Sequence, residues 1–486
     1  MKIKELLSGI TDTGNIEDKY NFAVNGVSCD SRKIKNGYVF VAVSGCNNDG
    51  AKFINQAVNN GAKAVIKKSS SNKTVVKGGV LFTGVKDCRL AAALVSRKFY
   101  NYPSTHVKVI GITGTNGKTT ISYLLERILM FSGFSPAVIG TVNYRFRGKV
   151  IPSVNTTPGP VEIQALLFEM MKKRVDYLVM EVSSHALDQK RTSGIDFHSA
   201  IFTNLTQDHL DYHKTMERYF KAKLKLFMQL PEGAYAVINI DDNYGKRLSK
   251  RVNRDVVTFG LEGADVSAKD INITSSGSKF MLRYGRKSGK FQTKLIGIYN
   301  VYNILAAAAW ALKAGININQ VRKAISSFTH VPGRLERVNN DKGFHIFIDY
   351  AHTPDALVNV ISSLRQLAMS RIIVVFGCGG QRDKGKRPKM GRVVTELADY
   401  AIITNDNPRD EAPAKIINDI KSGIAKKNYT VIPDRLEAIK ASLSMALKND
   451  IVLIAGKGHE EYQIINGKAF HFSDKGAIQQ CLLSMR

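Results

Sequence analysis

Residues 107–121 read VKVIGITGTNGKTTI, and the fold follows from how that stretch is built. Val107, Val109, Ile110 and Ile112 form an apolar run of the kind a buried strand needs, and the glycines after it demand a tight turn. Lys118, Thr119 and Thr120 then open a helix that continues through residues 121–129. Strand, glycine turn and helix start together make a phosphate cradle. Backbone N–H groups and the helix dipole face the anion, Lys118 adds positive charge, and the Thr119 hydroxyl is placed to hold Mg²⁺. The general pattern is Gly, four residues, then Gly-Lys-Ser/Thr. Here Ile112 stands five before Gly117, with Gly111 and Gly114 on either side of that place, so the loop is a variant.

Working outward, 486 residues are too many for one core and predict about three domains. The composition, 44% hydrophobic and 23% charged, is that of a globular chain. No apolar run reaches membrane-spanning length, and MKIKELLSGI at the start lacks a signal-peptide core, so neither a span nor a leader is expected. Cys29, Cys46, Cys88, Cys378 and Cys481 show no metal spacing and are odd in number, which predicts free thiols and a reducing, cytoplasmic setting. The formal charge of +29 fits either a nucleic-acid binder or a protein that handles acidic small molecules. The lysines are spread along the chain, without a long basic block or a basic stripe interleaved with aromatics. A basic nucleic-acid-binding P-loop ATPase therefore rests on net charge alone.

In chain order, 1–103 reads as a small α/β domain, with strands at 38–43 and 64–66, helices at 51–60 and 90–100, and a linker at 102–104. From 104 to 330 strands and helices alternate, which predicts a mostly parallel sheet with helices on both faces. Residues 177–180 form an apolar strand ending in Glu181, where an NTPase sheet holds its metal. The strand at 200–205 runs into Thr206-Gln207-Asp208-His209-Leu210-Asp211-Tyr212-His213, a loop whose acids and imidazoles favour a metal or phosphate role. On the following helix, 216–229, Leu224 and Phe227 suit the core, and Lys223 reads by itself as a solvated or snorkelling side chain. After an alanine-rich helix at 300–315, a third domain, 331–486, is Rossmann-like α/β. Four of its strands run into glycine- or charge-rich loops at 349–354, 377–387, 405–411 and 456–460. In open α/β sheets, carboxyl ends of strands are where ligands bind.

The motifs DSR, GTNGKTT, NTTP, EVSSHALDQKR, TNLTQDHLDYH, YxxAK, PGRLE, DYAHTPD, GGQRDKGKRP, DNPR and GKGHE occur in this order along the whole chain. In this the sequence resembles the Mur ligases of bacterial cell-wall synthesis, and most of all the branch that adds the third residue of the peptidoglycan stem. The resemblance implies a monomeric cytoplasmic enzyme that uses ATP and Mg²⁺ and needs neither nucleic acid nor membrane. It implies that Cys29, Ser31, Cys46, Asn47 and Asn48 bind the UDP part of UDP-MurNAc-L-Ala-D-Glu. Asn155, Thr156, Thr157, Ser183, Gln189 and Arg191 would hold the rest of that substrate. Gly114, Thr115, Asn116, Gly117, Lys118, Thr119 and Thr120 would bind ATP, with Asn300 and residues 349–352 near the nucleotide. Thr119, Glu181 and His209 would surround Mg²⁺, and Lys223 matches a family position carbamoylated by CO₂, which makes a cation into an anionic ligand. Lys118, Lys223 and His209 would be the catalytic residues.

The amino-acid pocket implied by the resemblance comprises Arg382, Asp406, Asn407, Pro408, Arg409, Gly456 and Glu460. DNPR is the form of meso-diaminopimelate enzymes, and lysine-adding relatives lack that arginine. Diaminopimelate carries a far carboxylate that a guanidinium clamps, whereas the terminal ammonium of lysine gains nothing from Arg409. Asp410 and Glu411 add acids beside it, which would favour a more cationic diamino acid. A lysine-adding or folate-extending sister ligase is the alternative, and the EVSSHALDQKR and DNPR segments oppose folate.

Overall fold

The computed structural model describes every residue except 46–48, 275, 369 and 486. The chain divides into two compact units. The first comprises Met1–Gly111, Phe134–Ala200 and Ala222–Tyr235, and the second Ile112–Gly133, Ile201–Lys221 and Ala236–Arg486. Among the described residues the strands form sheets of five, eleven, six and two.

In the first unit the five-stranded sheet runs Gly26–Ser28, Tyr38–Val41, Ala62–Lys68, Val80–Val85, Thr74–Lys77. The first four strands are parallel and the last is antiparallel. Alternation along these strands sorts the core: Val39, Val41, Ala64 and Ile66 pack with the helix Cys88–Phe99, whereas Phe40 and Val65 pack with Ala57. Asp87 caps that helix by accepting from the Arg89 and Leu90 amides. The same unit holds Pro136–Ile139 parallel to Tyr177–Glu181, a hairpin of Asn143–Phe146 and Lys149–Pro152, and the helix Pro160–Lys172.

The second unit contains the helix Lys118–Phe131, the strands Asp255–Gly260, Val266–Thr274, Gly277–Tyr284 and Lys287–Thr293, and the helix Ile298–Lys313. That last helix is buried nearly all round, and its alanines let neighbouring backbone approach closely. The six-stranded sheet runs Glu336–Val338, His345–Asp349, Ile451–Ala455, Ile372–Phe376, Tyr400–Ile403, Tyr429–Val431. All but the first are parallel, so the four strands picked from sequence put their carboxyl ends on one edge. Ile372–Phe376 is buried at every position, as a strand covered on both faces must be.

Three strands, Lys108–Thr113, Phe197–Phe202 and Tyr235–Asn239, carry residues of both units and belong to the eleven-stranded sheet. That sheet is parallel where Pro136–Ile139 meets Tyr177–Glu181 and where Asp255–Gly260 meets Val266–Thr274, in keeping with the mostly parallel sheet expected from sequence. Hairpins at 143–152 and 266–293 add antiparallel strands that the sequence reading passed over, because half-exposed, lysine-rich strands lack a strong apolar signal. On the helix Met216–Met228 the core face is Tyr219, Phe220, Leu226 and Phe227, while Leu224 is only half-buried. Lys223 is 2% exposed, which corrects its reading as a solvated side chain.

Candidate active site

The phosphate loop is shaped by its glycines. Gly117 has φ +90°, and a Cβ there would lie 2.3 Å from Asn303 Oδ1; at Gly114, φ +150°, a Cβ would fall 1.8 Å from Thr203 Oγ1. Only glycine lets the loop pass so near these side chains. Thr203 donates to the Asn116 carbonyl, Asn204 accepts from the Asn116 amide at 2.9 Å, and Thr115 Oγ1 lies 3.3 Å from the Tyr219 hydroxyl. Lys118 folds back over the turn, donating to the Gly114 and Thr115 carbonyls at 2.9 and 2.8 Å. Its ammonium is thus held over the glycine turn.

Beside the loop is a cavity of about 310 Å³ lined by Asn116, Gly117, Thr119 and Thr120, by Asn300, and by residues 349–352. The structure therefore brings together the loop and the two places expected near the nucleotide. It also adds Arg334, from the PGRLE motif, to which the sequence reading gave no role in the site. Arg334 donates to Thr119 Oγ1 at 3.2 Å and lies 4.5 Å from the Tyr350 ring centre. Asp355 accepts from the Asn116 side chain at 2.8 Å and from the Thr206 hydroxyl at 3.3 Å.

The loop 206–213 is organised around Asp208, a buried carboxylate. His209 Nε2, Lys386 Nζ and His352 Nε2 stand 3.4, 3.6 and 3.9 Å from its oxygens. Burial alone would raise this carboxyl, but the neighbouring His209 and Lys386 hold it well below the usual range. Burial pushes the His352 imidazole down to about 4, so it is neutral at pH 7.

In the first unit the expected acceptor residues form one hydrogen-bonded group. Thr157 Oγ1 donates to the Glu181 carbonyl at 2.8 Å and accepts from the Ser183 amide at 3.0 Å. Arg191 reaches the Thr157 carbonyl at 3.0 Å and grips Gln189 Oε1 with two nitrogens. Thr156 lies 3.1 Å from Thr141, which supplies the Glu181 carboxylate with an amide at 3.0 Å and a hydroxyl at 2.9 Å. Asn155 is exposed, and its carbonyl accepts from Tyr144 and Ser153. Ser31 donates to Gln56 at 2.7 Å. Burial pushes the half-buried Cys29 thiol up to about 12, so it stays protonated and inert. Cys46, Asn47 and Asn48 lie outside the described residues.

The third constellation lies at the carboxyl edge of the six-stranded sheet. Asn407 donates to Glu460 at 2.8 Å, and buried Lys457 touches both, at 3.3 and 3.2 Å. Asp406 stays ionised beside Lys457, while burial and Asp406 push Glu460 upward. Gly456 passes close to Asp406, where a Cβ would lie 2.7 Å from its carboxylate. Arg409, at φ +55°, is fixed by Ile464 and Asn466 of the hairpin that follows Glu460. Its guanidinium donates to the Gly380 carbonyl at 2.9 Å, and a Cβ on Gly379 would touch both Arg409 and Arg382. Burial and the nearby Arg382 charge lower the Arg409 pKa. Asp410 and Glu411 do not enter this space: Glu411 binds Arg387 through both oxygens at 2.8 Å, and Asp410 accepts from Gln381. They shape the loop, which removes the reason for expecting a more cationic amino acid.

Comparison with known proteins agrees with this layout. Residues 23–104 match the Mur ligase family catalytic domain, 112–311 the Mur ligase middle domain, and 333–458 the Mur ligase glutamate ligase domain. A UDP-N-acetylmuramoyl-L-alanyl-D-glutamate--2,6-diaminopimelate ligase of Fusobacterium nucleatum is 44% identical over 95% of this chain and 93% of its own. The chain belongs to the Mur ligase family. A second such ligase, numbered 1, from Clostridium acetobutylicum, is 43% identical over 99% of both chains. A solved structure of a 2,6-diaminopimelate ligase of the same name, 34% identical, covers 95% of each chain with a TM-score of 0.66. The family's three-domain α/β architecture is thus the one this chain adopts, and it is an ATP-dependent, ADP-forming acid–amino-acid ligase. Among the described residues no helix is long and apolar enough to cross a membrane.

Proposed function

We propose that this enzyme joins meso-diaminopimelate to the D-Glu side-chain carboxylate of UDP-MurNAc-L-Ala-D-Glu, in the cytoplasm, as a monomer, on the route to peptidoglycan. The relatives that carry that name support the reading. The observation that carries it is the pair Arg382 and Arg409 flanking Gly379, a place for the far carboxylate that distinguishes diaminopimelate from lysine.

The acceptor carboxylate, held by Thr157, Ser183, Gln189 and Arg191, attacks the γ-phosphorus of ATP, and the bond to ADP breaks. Lys118 and the loop amides offset the charge that develops on the phosphoryl oxygens. The diaminopimelate amine, placed with Asn407, Glu460 and Arg409, then attacks the acyl carbon of the mixed anhydride. Phosphate leaves with the C–O electrons and the amine loses its extra proton.

Thr119, Glu181, His209 and a carbamate on Lys223 are the proposed Mg²⁺ ligands. The fit rests on donor chemistry. Mg²⁺ takes one or two carboxylates together with substrate phosphates and water, and Glu181 is a carboxylate 1% exposed at a strand end. Lys223 is 2% exposed, and a carbamate there would offer the ion an anionic oxygen in place of an ammonium. When bound, the ion would neutralise phosphate charge. We also assign domain boundaries at 103/104 and 330/331, supported by one family match that ends at 104 and another that begins at 333.

The test offers labelled diaminopimelate and lysine together, with ATP and the UDP-dipeptide. Diaminopimelate should be incorporated in large excess, and Arg409→Ala should lower that preference by roughly 10-fold or more. A preference for lysine overturns the assignment.

A further inference from the structure

Part of the net charge of +29 is organised on one sheet face. The strands Val266–Thr274, Gly277–Tyr284 and Lys287–Thr293 form an antiparallel ribbon whose inward side chains, among them Val266, Ala268, Phe280, Leu282 and Phe291, are buried. Side chains alternate along a strand, so the outward face is fixed by register. Its cross-strand rows are Ser267–Arg283–Ser288, Lys269–Met281–Lys290 and Asn272–Lys279–Gln292. Lys269, Lys279, Arg283 and Lys290 are all exposed, and the rest of the face is hydroxyl, amide and one half-buried methionine. No carboxylate occupies any of the nine positions. The nearest acid in sequence, Asp270, sits in the bulge between Lys269 and Asn272, where the register shifts.

Four cations on three neighbouring strands, diagonal neighbours about 8 Å apart by sheet geometry, lie within one Debye length of each other and repel. Such a face is stabilised by an anionic partner. Its hydroxyl and amide donors among the cations and its lack of outward aromatic rings fit a layer of phosphate headgroups better than a single-stranded nucleic acid, which needs stacking platforms. We infer that the outward face of this ribbon docks the enzyme on an anionic phospholipid surface. No spanning segment is needed for such peripheral attachment, so it departs from the sequence reading only in admitting a membrane surface as partner. It is independent of the amino acid the enzyme adds, because none of its residues lines the cavity or the amino-acid pocket.

Co-sedimentation of the full-length enzyme with vesicles tests the inference. It should bind vesicles of equal parts phosphatidylglycerol and phosphatidylcholine and not pure phosphatidylcholine. Lys279→Glu combined with Arg283→Glu should weaken that binding about 30-fold or more. Lys426→Glu combined with Lys427→Glu, an equal charge change at exposed positions of a different surface, should change it less than about 3-fold. Ligase turnover in solution should be unaltered in both variants. Equal loss in the two variants would mean non-specific adsorption of a basic protein and overturn the inference. So would failure of the unaltered enzyme to bind the anionic vesicles, or tighter capture by an oligonucleotide that depends on the same two residues.

Discussion

Two side chains carry most of what is new at the level of the residue. Lys223 reads as solvated or snorkelling because that is usual for a helical lysine, although Tyr219, Phe220, Leu226 and Phe227 surround it at helical spacing, and it is 2% exposed. A carbamate there makes a definite prediction. Lys223→Ala should lose activity by roughly 100-fold or more, and a short carboxylic acid such as formate should restore part of it by supplying the missing oxygen anion. Glu411 was legible as an acid beside the pocket but not as a partner of Arg387, which is 24 positions upstream and fully buried. Its hydrogen bonds from Arg387 hold its carboxyl at about 2, against the usual 4.5. The native state therefore favours the ionised form, and the stability gained is present above pH 4.5 and lost as the pH falls towards 2. Glu411→Gln should lower stability by about 1–3 kcal/mol at pH 7, and that deficit should shrink between pH 4.5 and 3, read from thermal melts of both proteins.

The loop–helix element was the most legible part of the chain. Apolar strand, glycines and Lys118 predict a strand and a helix that the structure places at Lys108–Thr113 and Lys118–Phe131. The spacing could not say why the glycines are required, since Asn303 and Thr203, which crowd them, come from distant elements. Gly117→Ala should strain a backbone at φ +90° and displace Asn303, weakening ATP binding by about 10-fold or more in titration calorimetry. The residues expected to hold the acceptor were legible together from their motifs, but not the network that joins them. Its unity depends on hydrogen bonds from Thr141, a residue without any motif of its own.

At the scale of the molecule, a charge of +29 meets substrates that are polyanions. Capture of ATP and of the UDP-dipeptide should weaken with salt. Raising ionic strength from about 0.05 to 0.5 M should increase KM for both by several-fold and leave kcat within about 2-fold, in steady-state assays. The sequence by itself determined the α/β class, the phosphate loop, the carboxyl-end loops and the family, because each is written in contiguous residues or in motif order. Tertiary structure alone decided the approach of Arg409 and Arg382 to Gly379, the diversion of Glu411 to Arg387, and the gathering of scattered lysines on one ribbon face. The physical reason is the same in each case. Burial and like-charge proximity arise between residues that only packing and strand register bring together, so local spacing holds no trace of them.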